Sequence, residues 1–166
     1  MKKASLLVFF FLSFSTWIYA QTTNIWVVRH AEKDKSNPAE KNPDLSEDGE
    51  IRAGDLAKYL KKVNIDVAFS TATKRTHQTL DSVVISKVID YKDIPSLVSE
   101  VKKSYLGKTI IIAGHSNTVL EIVEAFGAKR PKKELTEDDY DYIFHVTLKN
   151  DKAKVKMDQY GVPHHL

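Results

Sequence analysis

Two histidines and two arginines stand where buried strands would hand over to loops or helices. Arg29-His30 follows the apolar run Ile25-Trp26-Val27-Val28, and Gly114-His115-Ser116 follows Thr109-Ile110-Ile111-Ile112-Ala113. Short, β-branched runs bounded by polar residues read as buried strands. In open α/β sheets ligands bind outside the carboxyl ends of strands, so His30 and His115 are expected at one shared site. Arg75 comes just after the run Val67-Ala68-Phe69-Ser70, near the start of a predicted helix whose N–H groups would face the same region. Ser116, heading the next predicted helix, would offer a further N–H. Arginine's planar fork gives paired, charge-assisted bonds to phosphate oxygens. Two arginines, two imidazoles and helix N-termini together suit a doubly charged oxyanion.

The elements that would position these residues alternate along the chain. Strands are expected at residues 24–28, 67–70, 87–91 and 109–113, and helices at 47–62, 73–84, 95–105 and 117–126, with Ser46 as N-cap of the first helix. Residues 142–149 and 152–158 alternate apolar and polar around a turn at 149–152, which predicts a terminal antiparallel hairpin. Strands alternating with helices, then a hairpin, predict an α/β fold: three layers, with a mostly parallel central sheet flanked by helices and an antiparallel edge. Two polar loops, 33–44 and 129–139, are the segments long enough to shape a pocket.

The first twenty residues read differently. Met1-Lys2-Lys3 is positive, Ser5 to Ile18 is apolar with four phenylalanines and three leucines, and Tyr19-Ala20 ends on a small residue. That is the pattern of a signal peptide. The stretch is shorter than the ~20 residues a membrane span needs. Residues 1–20 are therefore expected to direct export, to a periplasmic or secreted location, and residues 21–166 to form one domain with no membrane attachment after cleavage. Loss of Lys2 and Lys3 lowers the basic count from 25 to 23 against 22 acidic residues, so the mature chain is about +1. Net charge thus makes no case for a nucleic-acid partner. The chain has no cysteine, which excludes disulfides, thiol chemistry and cysteine-ligated zinc.

Four segments carry a resemblance. Val27-Val28-Arg29-His30-Ala31-Glu32-Lys33 resembles the Arg-His-Gly signature of the histidine phosphatase superfamily (the phosphoglycerate-mutase-like branch 1), in an Arg-His-Ala-Glu variant. Leu45-Ser46-Glu47-Asp48-Gly49-Glu50-Ile51-Arg52-Ala53, Ser70-Thr71-Ala72-Thr73-Lys74-Arg75-Thr76-His77-Gln78-Thr79 and Gly114-His115-Ser116-Asn117 resemble its later motifs, in family order. The resemblance implies a phosphoglycerate-mutase-like fold and a phosphatase that needs no metal or other cofactor. It makes His30 a nucleophile that forms a phosphohistidine, gives Arg29 and Arg75 the phosphoryl oxygens, and has His115 stabilise the transferring group. A substrate would be a small phosphorylated molecule, a phosphomonoester or phosphoramidate, or a phosphoprotein.

The general acid is the gap in this resemblance. At the second histidine motif the chain has His115-Ser116-Asn117 where acid phosphatases carry His-Asp, and neither Ser116 nor Asn117 can replace that acid. Mutase-like members take a glutamate from the stretch between the second arginine and second histidine. Here that stretch offers Asp81, Asp90, Asp93 and Glu100, of which Asp93, in the loop before a helix, is preferred. The missing acid leaves an alternative open, a catalytically inactive module that binds a phosphoryl ligand. A metal-dependent hydrolase on the same histidines has no supporting ligand spacing. His77 and His145 read as structural or surface residues, and the basic run 129–133 as a solvated loop.

Overall fold

The computed structural model describes residues 21–163. The predicted signal peptide and the terminal His164-His165 pair lie outside the described residues. Ten elements follow in chain order: β1 (Thr23–Arg29), α1 (Glu47–Tyr59), β2 (Val67–Ser70), α2 (Lys74–Leu80), β3 (Val88–Asp90), α3 (Ile94–Ser104), β4 (Thr109–Gly114), α4 (Val119–Ala125), β5 (Tyr142–Lys149) and β6 (Lys152–Gln159).

The strands form one sheet in the order β3-β2-β4-β1-β5-β6. β1 to β4 are mutually parallel, with Val28 opposite Ala113 and Ser70 also opposite Ala113. β5 and β6 close the sheet antiparallel, so the edge is the expected hairpin. Its turn residues Asn150 and Asp151 have φ of 49° and 57°, the left-handed pair that a two-residue hairpin demands. Lysines at 152, 154 and 156 line the outermost strand, a composition that discourages edge-to-edge pairing.

Alternate residues of the parallel strands feed two cores. Ile25, Val27, Phe69, Ile110 and Ile112 pack with Leu97 and Val101 of α3 and with Val119, Leu120 and Val123 of α4. Val28, Ala68, Ile111 and Ala113 pack with Leu56 and Leu60 near α1 and with Leu80 of α2. The sheet is covered on both faces, the arrangement of a three-layer α/β domain, and this is why its central strands read as unbroken apolar runs. Among the described residues no helix is long and apolar enough to cross a membrane.

Three helices are shorter than their sequence pattern suggests, α1 ending at Tyr59 and not at residue 62. α2 ends at Leu80, not at residue 84, because the β-branched run after Asp81 is poor helix. Instead Val83 turns into the core and Ile85 bridges to Ile65. α4 begins at Val119, not at residue 117, because Thr118 and Val119 both return their N–H groups to the His115 carbonyl in a turn. At α1 the Ser46 hydroxyl accepts from the Gly49 N–H at 3.2 Å, as expected of an N-cap.

The two glycines of α1 differ in their surroundings. A Cβ on Gly49 would stand 2.1 Å from the Glu32 carbonyl oxygen, where the first motif packs across the helix start. A Cβ on Gly54 would meet nothing within 4 Å. Gly49→Ala should therefore cost roughly 1–3 kcal/mol of stability by forcing a backbone shift. Gly54→Ala should add about 0.5–1 kcal/mol, because alanine is the better helix former. Urea melts of the two variants test this; equal effects at both positions would refute it.

Candidate active site

The carboxyl ends of β1 and β4 are adjacent, and the backbone of His30 continues their pairing by donating to the Gly114 carbonyl at 2.9 Å. Arg29 and His30 leave β1 at that point, and His115 leaves β4. α2 brings Arg75 to the same end of the sheet. Together with Lys33, Ser116, Asn117 and Glu137 they line a pocket of about 310 Å³.

His30 forms the floor, with 5% of its surface exposed. Its Nδ1 lies 2.7 Å from the Ala31 carbonyl oxygen. A carbonyl only accepts, so Nδ1 carries the ring proton and Nε2 keeps its lone pair. Burial pushes the His30 pKa down to about 3; the bond to the Ala31 carbonyl works the other way, and Arg75, Arg29 and His115 lower it further. The result is a neutral imidazole with one nucleophilic nitrogen. The next residue is fixed as well: the Ala31 N–H donates to the Thr79 hydroxyl oxygen at 2.9 Å, and that hydroxyl donates to the Arg75 carbonyl at 2.6 Å. The loop after His30 is thereby tied to the helix that carries Arg75.

His115 packs edge-on against His30, with ring centroids 5.2 Å apart. Its Nε2 is 2.9 Å from the Thr71 hydroxyl. Burial, then the charges of Arg75 and Arg29, lower its pKa to about 4. The Thr118 hydroxyl oxygen accepts from the His115 N–H at 2.9 Å and holds the turn. Ser116 lines the pocket but sits in that turn; it does not head α4, as the sequence pattern had suggested.

Arg29 is 3% exposed, and burying a guanidinium is costly unless it is partnered. Its Nη1 donates to the Thr136 carbonyl at 2.8 Å and to the Asp139 carbonyl at 3.3 Å. Its carbon centre lies 3.9 Å above the Tyr140 ring, a cation–π contact. Its Nη2 faces the Glu137 carboxylate at 3.9 Å. The Nε atoms of both Arg29 and Arg75 are buried and donate to nothing among the described residues. The loop that supplies these carbonyls is itself pinned. Asp139 accepts from the Thr136 N–H at 2.7 Å and pairs with Lys132 at 3.3 Å.

Asp93 is not brought into the pocket. Its carboxylate accepts from the Ser96 N–H at 2.8 Å and caps α3 on an exposed corner. That hydrogen bond, and one with the Ser96 hydroxyl, hold it below the usual aspartate range, the wrong direction for a proton donor. The carboxylate that the fold does bring to the pocket is Glu137, from the loop before β5. No motif marks it; the only sequence signal is its place a few residues ahead of a strand whose start lies beside the site. Thr79, by contrast, stands four residues after Arg75 in a recognisable segment. Glu32, which follows the first motif, accepts from Arg52 Nε with both oxygens, at 2.7 and 2.9 Å. Arg52 also donates to the Tyr160 and Val162 carbonyls, so this pair joins the loop, α1 and the chain end.

The sequence model of the histidine phosphatase superfamily, branch 1, matches residues 25–98. Over those residues the chain is similar to that superfamily. No curated protein sequence matches it. Among solved structures, the protein is similar to the protein histidine phosphatase SixA complexed with tungstate, at 18% identity and a TM-score of 0.68, over 82% of this chain and 96% of that one. It is also similar to YhfR of Bacillus stearothermophilus, at 16% identity and a TM-score of 0.65, over 86% of this chain and 98% of that one. A phosphoserine phosphatase variant from Entamoeba histolytica in complex with phosphoserine aligns at 12% identity and a TM-score of 0.61, over 87% of this chain and all of that one (100%). At these identities the likeness is one of fold, a phosphoglycerate-mutase-like one.

The state of the His30 ring is measurable. The His30 imidazole should stay neutral, with its proton on Nδ1, from pH 8 to about pH 5, well below the ordinary histidine value of ~6.5. Nitrogen-detected NMR of the ring reads both charge and tautomer. A His30 that titrates near pH 6.5, or carries its proton on Nε2, would contradict the geometry.

Proposed function

We propose that the protein is a metal-independent phosphatase that hydrolyses phosphomonoesters or phosphoramidates through a phosphohistidine on His30. The observation that supports this most is the orientation of His30, neutral and with Nε2 unprotonated, among Arg29, Arg75 and His115. Phosphoryl transfer asks the protein chiefly for positioning and charge neutralisation. Two guanidiniums supply the charge, so a metal ion has no necessary part.

The steps follow from the groups present. Nε2 of His30 attacks phosphorus in line with the departing atom. The bond from phosphorus to the leaving oxygen or nitrogen breaks, and the leaving group takes a proton. The ring then carries the phosphoryl group on Nε2, while Nδ1 keeps its proton and donates it in a hydrogen bond to the Ala31 carbonyl, which stabilises the positive charge that develops. Arg29 and Arg75 hold the phosphoryl oxygens, and His115 donates to one of them in the transition state. Water next attacks phosphorus, the N–P bond breaks, and phosphate leaves a neutral His30. The substrate class is a small phosphorylated molecule or a phosphoprotein. Residues 1–20 support an exported, periplasmic or secreted site of action.

Hydrolysis of 4-nitrophenyl phosphate by the purified protein should survive excess chelator. Acid quench should trap an acid-labile phosphoryl group, absent from His30→Ala, whose turnover falls by about 10³-fold or more. Arg75→Ala should lose about 10²–10³-fold. Tight tungstate or phosphate binding without turnover of any phosphoester or phosphoramidate would instead favour an inactive binding module.

A further inference from the structure

The pocket has a floor and a mouth, and they carry different chemistry. His30 lies at the floor, 5% exposed, whereas the Glu137 side chain is 80% exposed at the rim. In-line attack from a buried nitrogen obliges the leaving atom to point away from it, toward the mouth. Glu137 is the one carboxylate among the described residues that line this pocket. Other carboxylates nearby are committed elsewhere. Glu32 is held by Arg52, Asp139 is buried against Thr136 and Lys132, Asp44 pairs with Lys74 and Gln78, and Asp90 bonds His77. Glu137 approaches Arg29 at 3.9 Å, beyond hydrogen-bond length, so its carboxylate is close to the phosphoryl-binding group without being locked to it. Its backbone is nonetheless placed, since the preceding carbonyl, that of Thr136, accepts from Arg29 at 2.8 Å.

We infer that Glu137 is the general acid, supplied by the loop before β5 and not by the stretch between Arg75 and His115. This assignment rests on the phosphatase reading above. In the first step the Glu137 carboxyl gives its proton to the leaving oxygen as the bond to phosphorus breaks. In the second step the carboxylate takes a proton from the attacking water, which restores the acid.

The test is leaving-group dependence of kcat/KM, which reads phosphoryl transfer to His30, for wild type and Glu137→Gln. Residue 137 is on the surface, so folding is not at stake. Phenyl phosphate, whose leaving group is basic, should lose about 10²-fold in the variant. 2,4-Dinitrophenyl phosphate, whose leaving group needs no proton, should be little changed. An equal loss on both esters would show that Glu137 acts only by positioning Arg29, and would overturn the assignment; so would no loss on either. Wild type inactive on both esters and without a trapped phosphohistidine would sink the phosphatase reading, and this assignment with it. Activity in the wild type with parallel leaving-group slopes would sink this assignment alone.

Discussion

Two guanidiniums and two imidazoles share one pocket, and that crowding of cationic groups is tolerable because both imidazoles are neutral. Burial of His30 and His115 removes the water that would stabilise a charged ring, and Arg29 and Arg75 penalise it again. The same constraint makes the site chemically useful. A neutral ring whose Nδ1 proton is committed to a carbonyl has its lone pair on the other nitrogen, and a pocket with unbalanced positive charge draws in a dianion. A nitrogen with a free lone pair and a site for an anion are thus prepared by one electrostatic arrangement.

That arrangement depends on support from several elements. Parallel pairing of β1 with β4 sets His30 beside Gly114, and the Thr79 hydroxyl joins the His30 loop to α2. Arg29 is held by carbonyls of a loop about 107 residues later in the chain, and that loop is fixed by a buried aspartate. The bidentate pair of Glu32 with Arg52 anchors the far side of the first motif. Partly buried pairs of this kind add little net stability against hydrophobic replacement, yet removing one partner is costly. Their value here is geometric, since an error of about 1 Å in a catalytic group can cost 10²-fold in rate.

The site is also asymmetric in how much of its chemistry is enclosed. Arg29 and His30 are buried and Arg75 and His115 half-buried, while the rim holds exposed side chains on loops. In a pocket of about 310 Å³ the rest of a substrate must lie outside. Selectivity for that part would fall to the rims, which are the segments with the least regular structure and the freest sequence.

By itself the sequence determined the layered α/β architecture, because both cores are written as β-branched runs alternating with helical patterns, and determined that His30, His115, Arg29 and Arg75 converge, because each closes a strand or opens a helix. Local physics decides such features: strand periodicity, capping and turn chemistry act within a few residues. The limits of α2 and α4 were not legible, since tertiary packing of Val83 and a turn at His115 override helix propensity. Nor was the place of Asp93, whose cap on α3 is visible as an N-cap pattern only once the helix start is known. Tertiary structure alone decided the proton on Nδ1 of His30, the carbonyl cradle and Tyr140 ring under Arg29, and the arrival of Glu137 at the rim. Those facts join residues about 50 to 110 positions apart, or depend on how deeply a ring is buried, and no short-range pattern in a chain encodes either.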